Sequence, residues 1–84
     1  MTWRVNIPPD IQQQVWALPG DGRDSVLSLI DDLRADPHKH TEKLTQYDDG
    51  PVRMHTAAKG LVLATVTIND TTGVVTFMKL TTAH

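Results

Sequence analysis

Arg53, His55 and Lys79 are the residues of this chain whose types suit chemistry on a phosphate. Arginine grips phosphate with a planar fork of donors, lysine brings a compact point charge, and histidine moves a proton near neutral pH. Phosphodiester cleavage needs those functions: activation of a hydroxyl, stabilisation of charge in the transition state, and protonation of the leaving oxygen. An exposed Phe77 or Tyr47 could stack a base. The same cations also fit an ordinary solvated sheet face, or a surface that binds another protein.

The elements that must position them are three strands, Pro51–Ala57, Leu61–Ile68 and Val74–Leu80. They are rich in Val, Leu, Thr and Ile, and are broken at Ala58-Lys59-Gly60 and Asn69-Asp70-Thr71-Thr72-Gly73. Val52 and Met54 alternate with Arg53 and His55. Val62, Ala64, Val66 and Ile68 alternate with Leu61, Leu63, Thr65 and Thr67. A three-residue loop with a left-handed Gly60 last predicts His55 opposite Leu63 and Arg53 opposite Thr65. The second hairpin then brings Lys79 and Phe77 to the same open face, with Leu61, Leu63 and Val75. The other face is apolar and needs a cover.

Thr2–Ile7 alternates as a strand of the same sheet. Pro8-Pro9-Asp10 opens a helix with Ile11, Val15 and Leu18 as its apolar stripe and Trp16 flanking. Pro19-Gly20-Asp21-Gly22 is read as its stop. A second helix runs from about Arg23 to Ala35, lined by Val26, Leu29/Ile30 and Leu33, and Asp36-Pro37 ends it. This αα-hairpin is the expected cover. Trp3, Val5, Val26, Ile30, Leu33, Val52, Met54, Val62, Ala64 and Val66 should be buried together. His38–Gly50 is polar, anchored by Leu44 and Tyr47, with at most one short extended piece.

A chain of 84 residues makes one domain, 1–84, with one small core. The absence of cysteine excludes a disulfide scaffold, a thiolate zinc site and a cysteine nucleophile. There is no Gly-rich phosphate loop, zinc-finger spacing or Ser-His-Asp signature. His38-Lys39-His40 offers two imidazoles but no third ligand at fixed spacing, so no metal and no cofactor is expected. Net charge is -2, yet residues 1–50 carry -4 and residues 51–84 carry +2, so the sheet half is the cationic one. No apolar run follows Met1-Thr2-Trp3-Arg4, and no stretch approaches membrane-spanning length. A cytoplasmic protein without a membrane partner is the expectation.

The element order resembles the RelE/ParE superfamily of type II toxin–antitoxin systems over almost the whole chain. Leu33-Arg34-Ala35-Asp36-Pro37 resembles that family's leucine and Asn/Asp-Pro ending of the second helix, and Leu44 the leucine that follows. Arg53-Met54-His55-Thr56-Ala57-Ala58-Lys59-Gly60, then Leu61-Val62-Leu63, stands where the family often carries Arg-Leu-Arg-x-Gly-x-Tyr-Arg and Val-Ile-Tyr. Arg53 matches; His55 stands at the second Arg, Gly60 at the third and Leu63 at the Tyr. His84 lies near the family's basic or His/Tyr C-terminal segment.

The resemblance implies a small α+β fold: an N-terminal strand, an αα-hairpin, then a three-stranded antiparallel meander with both helices on one sheet face. It implies a toxin neutralised by a cognate antitoxin, in a dimer or a toxin–antitoxin hetero-oligomer. Its implied activity is that of an mRNA endoribonuclease on the ribosome, cleaving through the 2′-hydroxyl. Arg53 would hold the phosphate, His55 or His84 would move protons, and Lys79 would balance charge. Arg4, Lys59 and Phe77 would contact RNA. The alternatives are a ParE-like DNA gyrase inhibitor, or a catalytically degenerate antitoxin-binding protein. His55 speaks for the nuclease, since gyrase inhibition needs no proton transfer.

Overall fold

The computed structural model describes residues 3–43 and 52–82, with the side chains of Val52 and Arg53 outside the description. The elements follow as β1 (Arg4–Asn6), α1 (Pro9–Ala17), α2 (Gly20–Ala35), β2 (Glu42–Lys43), β3 (Val52–Lys59), β4 (Val62–Asn69) and β5 (Val74–Thr82). Pro9 opens α1 at a position whose N–H has no helical partner in any case, and Asp10 complements the positive helix end. Gln12 Nε2 donates to the Ile7 carbonyl at 2.7 Å, closing the strand-to-helix corner.

The second helix begins three residues earlier than the sequence reading placed it. Pro19 is the residue before its first turn, and the Arg23 N–H already donates to the Pro19 carbonyl. Gly20-Asp21-Gly22 therefore starts α2 instead of stopping α1. Asp21 suits the first turn, and the Ser25 hydroxyl bonds back to the Asp21 carbonyl. Gly22 is buried against Leu18, where an added Cβ would meet the Leu18 Cβ at 3.4 Å. A glycine there lets the two helices turn sharply with only Leu18-Pro19 between them.

The sheet has five strands in the order β1-β5-β4-β3-β2. The meander pairs are antiparallel, and β1 lies parallel to β5, with Arg4 beside Val74. The short extended piece expected between 38 and 50 is β2, which pairs Lys43 with His55. Both helices lie on one face. Ile11, Val26, Leu29 and Leu33 meet Ala57, Val62, Ala64, Val66, Ile68, Val75 and Phe77, with Trp3 and Val5 partly buried beside them. No helix among the described residues is long and apolar enough to cross a membrane.

The face assignment of β3 is overturned by its turn. The β3–β4 link is Gly60-Leu61, two residues with Gly60 first at φ +55, and Lys59 pairs with Val62. His55 consequently pairs with Val66 and Arg53 with Ile68. This pairing differs from the expected one by an odd number of residues, so the β3 side chains change faces. His55 is buried and Met54 is exposed, the reverse of the sequence expectation. A register shift between Thr65 and Val66 adds a second change. Thr65 pairs with Lys79 while Val66 pairs with Phe77, leaving Met78 as the extra residue. Phe77 and Val75 therefore lie in the core, whereas Leu61 and Leu63 are exposed as expected.

Gly60 is required twice over. A side chain there would need left-handed backbone, which costs about 1–2 kcal/mol, and its Cβ would lie 2.4 Å from Ser25 Oγ. Lys59 beside it reaches Asp32 on α2 at 3.0 Å, so the hairpin tip is held against the helix. Gly60→Ala should lower the unfolding free energy by about 2 kcal/mol in urea denaturation. A change below about 0.5 kcal/mol, the size of an ordinary surface substitution, would mean that the turn is built otherwise.

Candidate functional site

Side chains alternate along each strand, so the face away from the helices collects Thr56 and Ala58 from β3, and Leu63, Thr65 and Thr67 from β4. It adds Thr76, Lys79 and Thr81 from β5, and Arg4 and Asn6 from β1. This open face is a threonine-rich floor with Lys79 near the end of β5 and Arg4 beside its start. Hydroxyls and cations on a flat sheet suit an extended anion better than an enclosed small molecule.

The predicted site residues are not brought to one place. Lys79 and Arg4 occupy the open face. Lys59 lies on the helix side in its ion pair with Asp32. Phe77 is fully buried and presents no ring for stacking. The side chain of Arg53, and Leu44, Tyr47 and His84 altogether, lie outside the described residues.

His55 faces the helices at 5% exposure. The Thr41 hydroxyl has one hydrogen and donates it to the Pro37 carbonyl at 2.7 Å. At 3.0 Å from the same oxygen, His55 Nδ1 must be the donor, so that nitrogen carries a proton. His38 stands edge-on to both His55 and Trp3, with ring centroids 5.6 and 5.7 Å apart. His38 Nε2 also meets Asp70 Oδ1 at 2.6 Å. These contacts bind the segment after α2 to β3, β1 and the β4–β5 turn. The sequence reading saw His38 and His40 only as a loop pair; Thr41 and Asp70, far apart in sequence, gave no spacing signal. Among the described residues no cluster of His, Asp or Glu could hold a metal ion.

The segment so held forms one wall of a concavity of about 360 Å³ at the β3 side of the sheet. Lys39, His40, Thr41 and Glu42 line it from the loop, and Thr56, Ala58 and Leu63 from the open face. An exposed imidazole and ammonium, those of His40 and Lys39, thus sit at the rim of the threonine floor, in a segment whose sequence carries no spacing signal for it.

No family model matches the sequence, and no curated protein does. Among solved structures, a chain of the archaeal RelE–RelB complex from Pyrococcus horikoshii OT3 matches with a TM-score of 0.84. The match covers 98% of this chain and 96% of that one, at 23% identity. At that identity it is the fold that is shared. The element order expected from the sequence is the one observed, and this chain has a RelE-like α+β fold.

Proposed function

We propose that this chain is the toxin of a type II toxin–antitoxin pair, that a cognate antitoxin restrains it in a hetero-oligomer, and that it cleaves mRNA on the ribosome in the cytoplasm. The observation that carries this reading is a fold shared over 98% of the chain with a protein solved as a RelE–RelB complex. The open face supports it. Lys79 and Arg4 offer positive charge to a phosphate backbone, and the threonine hydroxyls offer hydrogen bonds along it. In the reaction the 2′-hydroxyl gives up its proton and attacks the adjacent phosphate, the bond to the 5′-oxygen breaks and that oxygen takes up a proton. Lys79 balances charge on the phosphate and His84 moves the protons, while Arg53, paired with Ile68 on the other row of β3, has no part in the step. His55 lies behind the sheet and acts through Thr41, positioning the loop that carries Lys39 and His40.

A second reading has its own observation. The imidazole expected to serve in β3 faces the core, and inhibition of DNA gyrase, or antitoxin binding alone, needs no imidazole on the open face. Primer extension on a ribosome-bound message separates the two. The purified chain should create new 5′ ends within the message, and expression without its neighbouring reading frame should arrest growth. Ribosome binding without new ends would remove the nuclease reading, and inhibition of gyrase supercoiling by the same protein would establish the other.

A further inference from the structure

We infer that the concavity at the β3 side of the sheet is a guanine subsite, in which Glu42 reads one base of an RNA strand lying along the open face. Glu42 pairs with Thr56 and so shares its face. Both line the concavity, with Ala58 and Leu63 as its apolar floor and Lys39 and His40 at its rim. Leu63 is 48% exposed, which leaves an apolar surface for a base to lie on. Among the described strand residues Glu42 is the one carboxylate. It makes no ion pair with any described residue. An edge strand needs charge to discourage pairing, but lysine serves that purpose as well. On a face otherwise made of hydroxyls and cations, a carboxylate costs affinity for a phosphate backbone. That cost is offset only where the carboxylate meets a donor on the ligand.

The Watson–Crick edge identifies the base. An ionised carboxylate only accepts, through two oxygens side by side. Guanine presents two adjacent donors, N1–H and N2–H, and meets both oxygens at once. Adenine and cytosine set a donor beside an acceptor, and uracil sets one donor between two acceptors. Each of those three turns a lone pair toward the carboxylate. Register places the subsite relative to the chemistry. Glu42 pairs with Thr56, Thr56 with Thr65, and Thr65 with Lys79. Neighbouring strands lie about 4.8 Å apart, so this row sets the backbones of Glu42 and Lys79 about 14 Å apart on one face. The guanine therefore belongs to a nucleotide beside the phosphate that Lys79 holds. Its place next to a cleaved bond rests on the nuclease reading; the base contact itself rests on the concavity and its carboxylate.

The test uses the full chain and synthetic RNAs of roughly five nucleotides. All are uridines except the central base, and 2′-O-methyl groups block attack on the phosphates. Binding is read by calorimetry. The RNA with central guanine should bind at least about tenfold more tightly than those with adenine, cytosine or uracil. Inosine, which keeps N1–H and lacks the N2 amino group, should fall between. Glu42→Gln replaces one acceptor by a donor and should bring guanine to the level of adenine. Lys39→Ala should instead weaken all the RNAs alike and reduce their salt dependence. Glu42 and Lys39 are exposed, so both variants keep the fold, which their thermal melts will verify. Equal binding of guanine and adenine, binding of no RNA, or a guanine preference that survives Glu42→Gln would overturn the proposal. A second arm maps cuts in a ribosome-bound message, where guanine should recur at one fixed distance from the cut and Glu42→Gln should remove it. Cuts without any such guanine would sink the subsite and leave the nuclease reading standing. A Glu42-dependent guanine preference in the short RNAs, with no cuts in the message, would sink the nuclease reading and leave the subsite.

Discussion

Phe77→Ala should cost about 3–5 kcal/mol of folding stability. The ring is fully buried, and it sits beside Val66 on the face that both helices cover. The truncation loses the transfer free energy of the ring and leaves a cavity that a stiff sheet cannot close. A domain of this length has roughly 4–13 kcal/mol in total, so a large part of the margin goes. Urea denaturation at 25 °C should show the midpoint collapsing toward zero denaturant, while Phe77→Leu retains most of the volume and costs less. A loss below about 1 kcal/mol for the alanine variant would return Phe77 to the open face and would undo the register shift in β5.

On the nuclease reading, the largest effect on activity belongs to Lys79. It lies on the open face opposite Thr65, where charge developing on the phosphate is within a long side chain's reach. Lys79→Ala should lower message cleavage by about 10²–10³-fold, the cost of a lost transition-state donor. His55→Gln should behave differently. It breaks the Nδ1 bond to Thr41 and the edge-on contact with His38. The loss is therefore about 1–2 kcal/mol of stability, with cleavage per folded molecule changed less than about threefold. Primer extension with variants normalised for folded fraction checks this. A 10²-fold fall for His55→Gln at equal folded fraction would make His55 a participant in proton transfer. In a gyrase binder Lys79→Ala would only weaken association, and less so at high salt, where the lost charge is screened in any case.

The fold was legible because its signals are local and repeated. Apolar stripes at Ile11, Val15 and Leu18, and at Val26, Leu29 and Leu33, announce two amphipathic helices. Val62, Ala64, Val66 and Ile68 alternate strictly, and all four are buried. The faces of β3 and β5 were not legible, because each depends on one residue of parity. Gly60 fits either the end of a three-residue loop or the start of a two-residue turn. Its contact with Ser25 and the pairing of Lys59 with Asp32 accompany the second choice. Met78 is an ordinary strand residue by composition, and nothing local marks it as the extra residue of an irregular ladder. Leu27 was skipped because it falls off the α2 stripe, which is also why it lies exposed beside Trp16. The latch of Trp3, His38, Thr41, His55 and Asp70 is tertiary throughout, so no spacing announces it.

The parallel pairing of β1 with β5 joins Arg4 to Val74, seventy residues apart. During synthesis the strand made first waits for a partner made almost last. At about 5–20 residues per second that delay is roughly 4–14 s. Until β5 emerges, β4 and β5 cannot cover the helix stripe, and Val26, Leu29 and Leu33 stay in water. Local contacts within the hairpin form in microseconds, whereas the sheet closes only when nearly the whole chain is free. The nascent protein thus passes several seconds with an uncovered apolar hairpin.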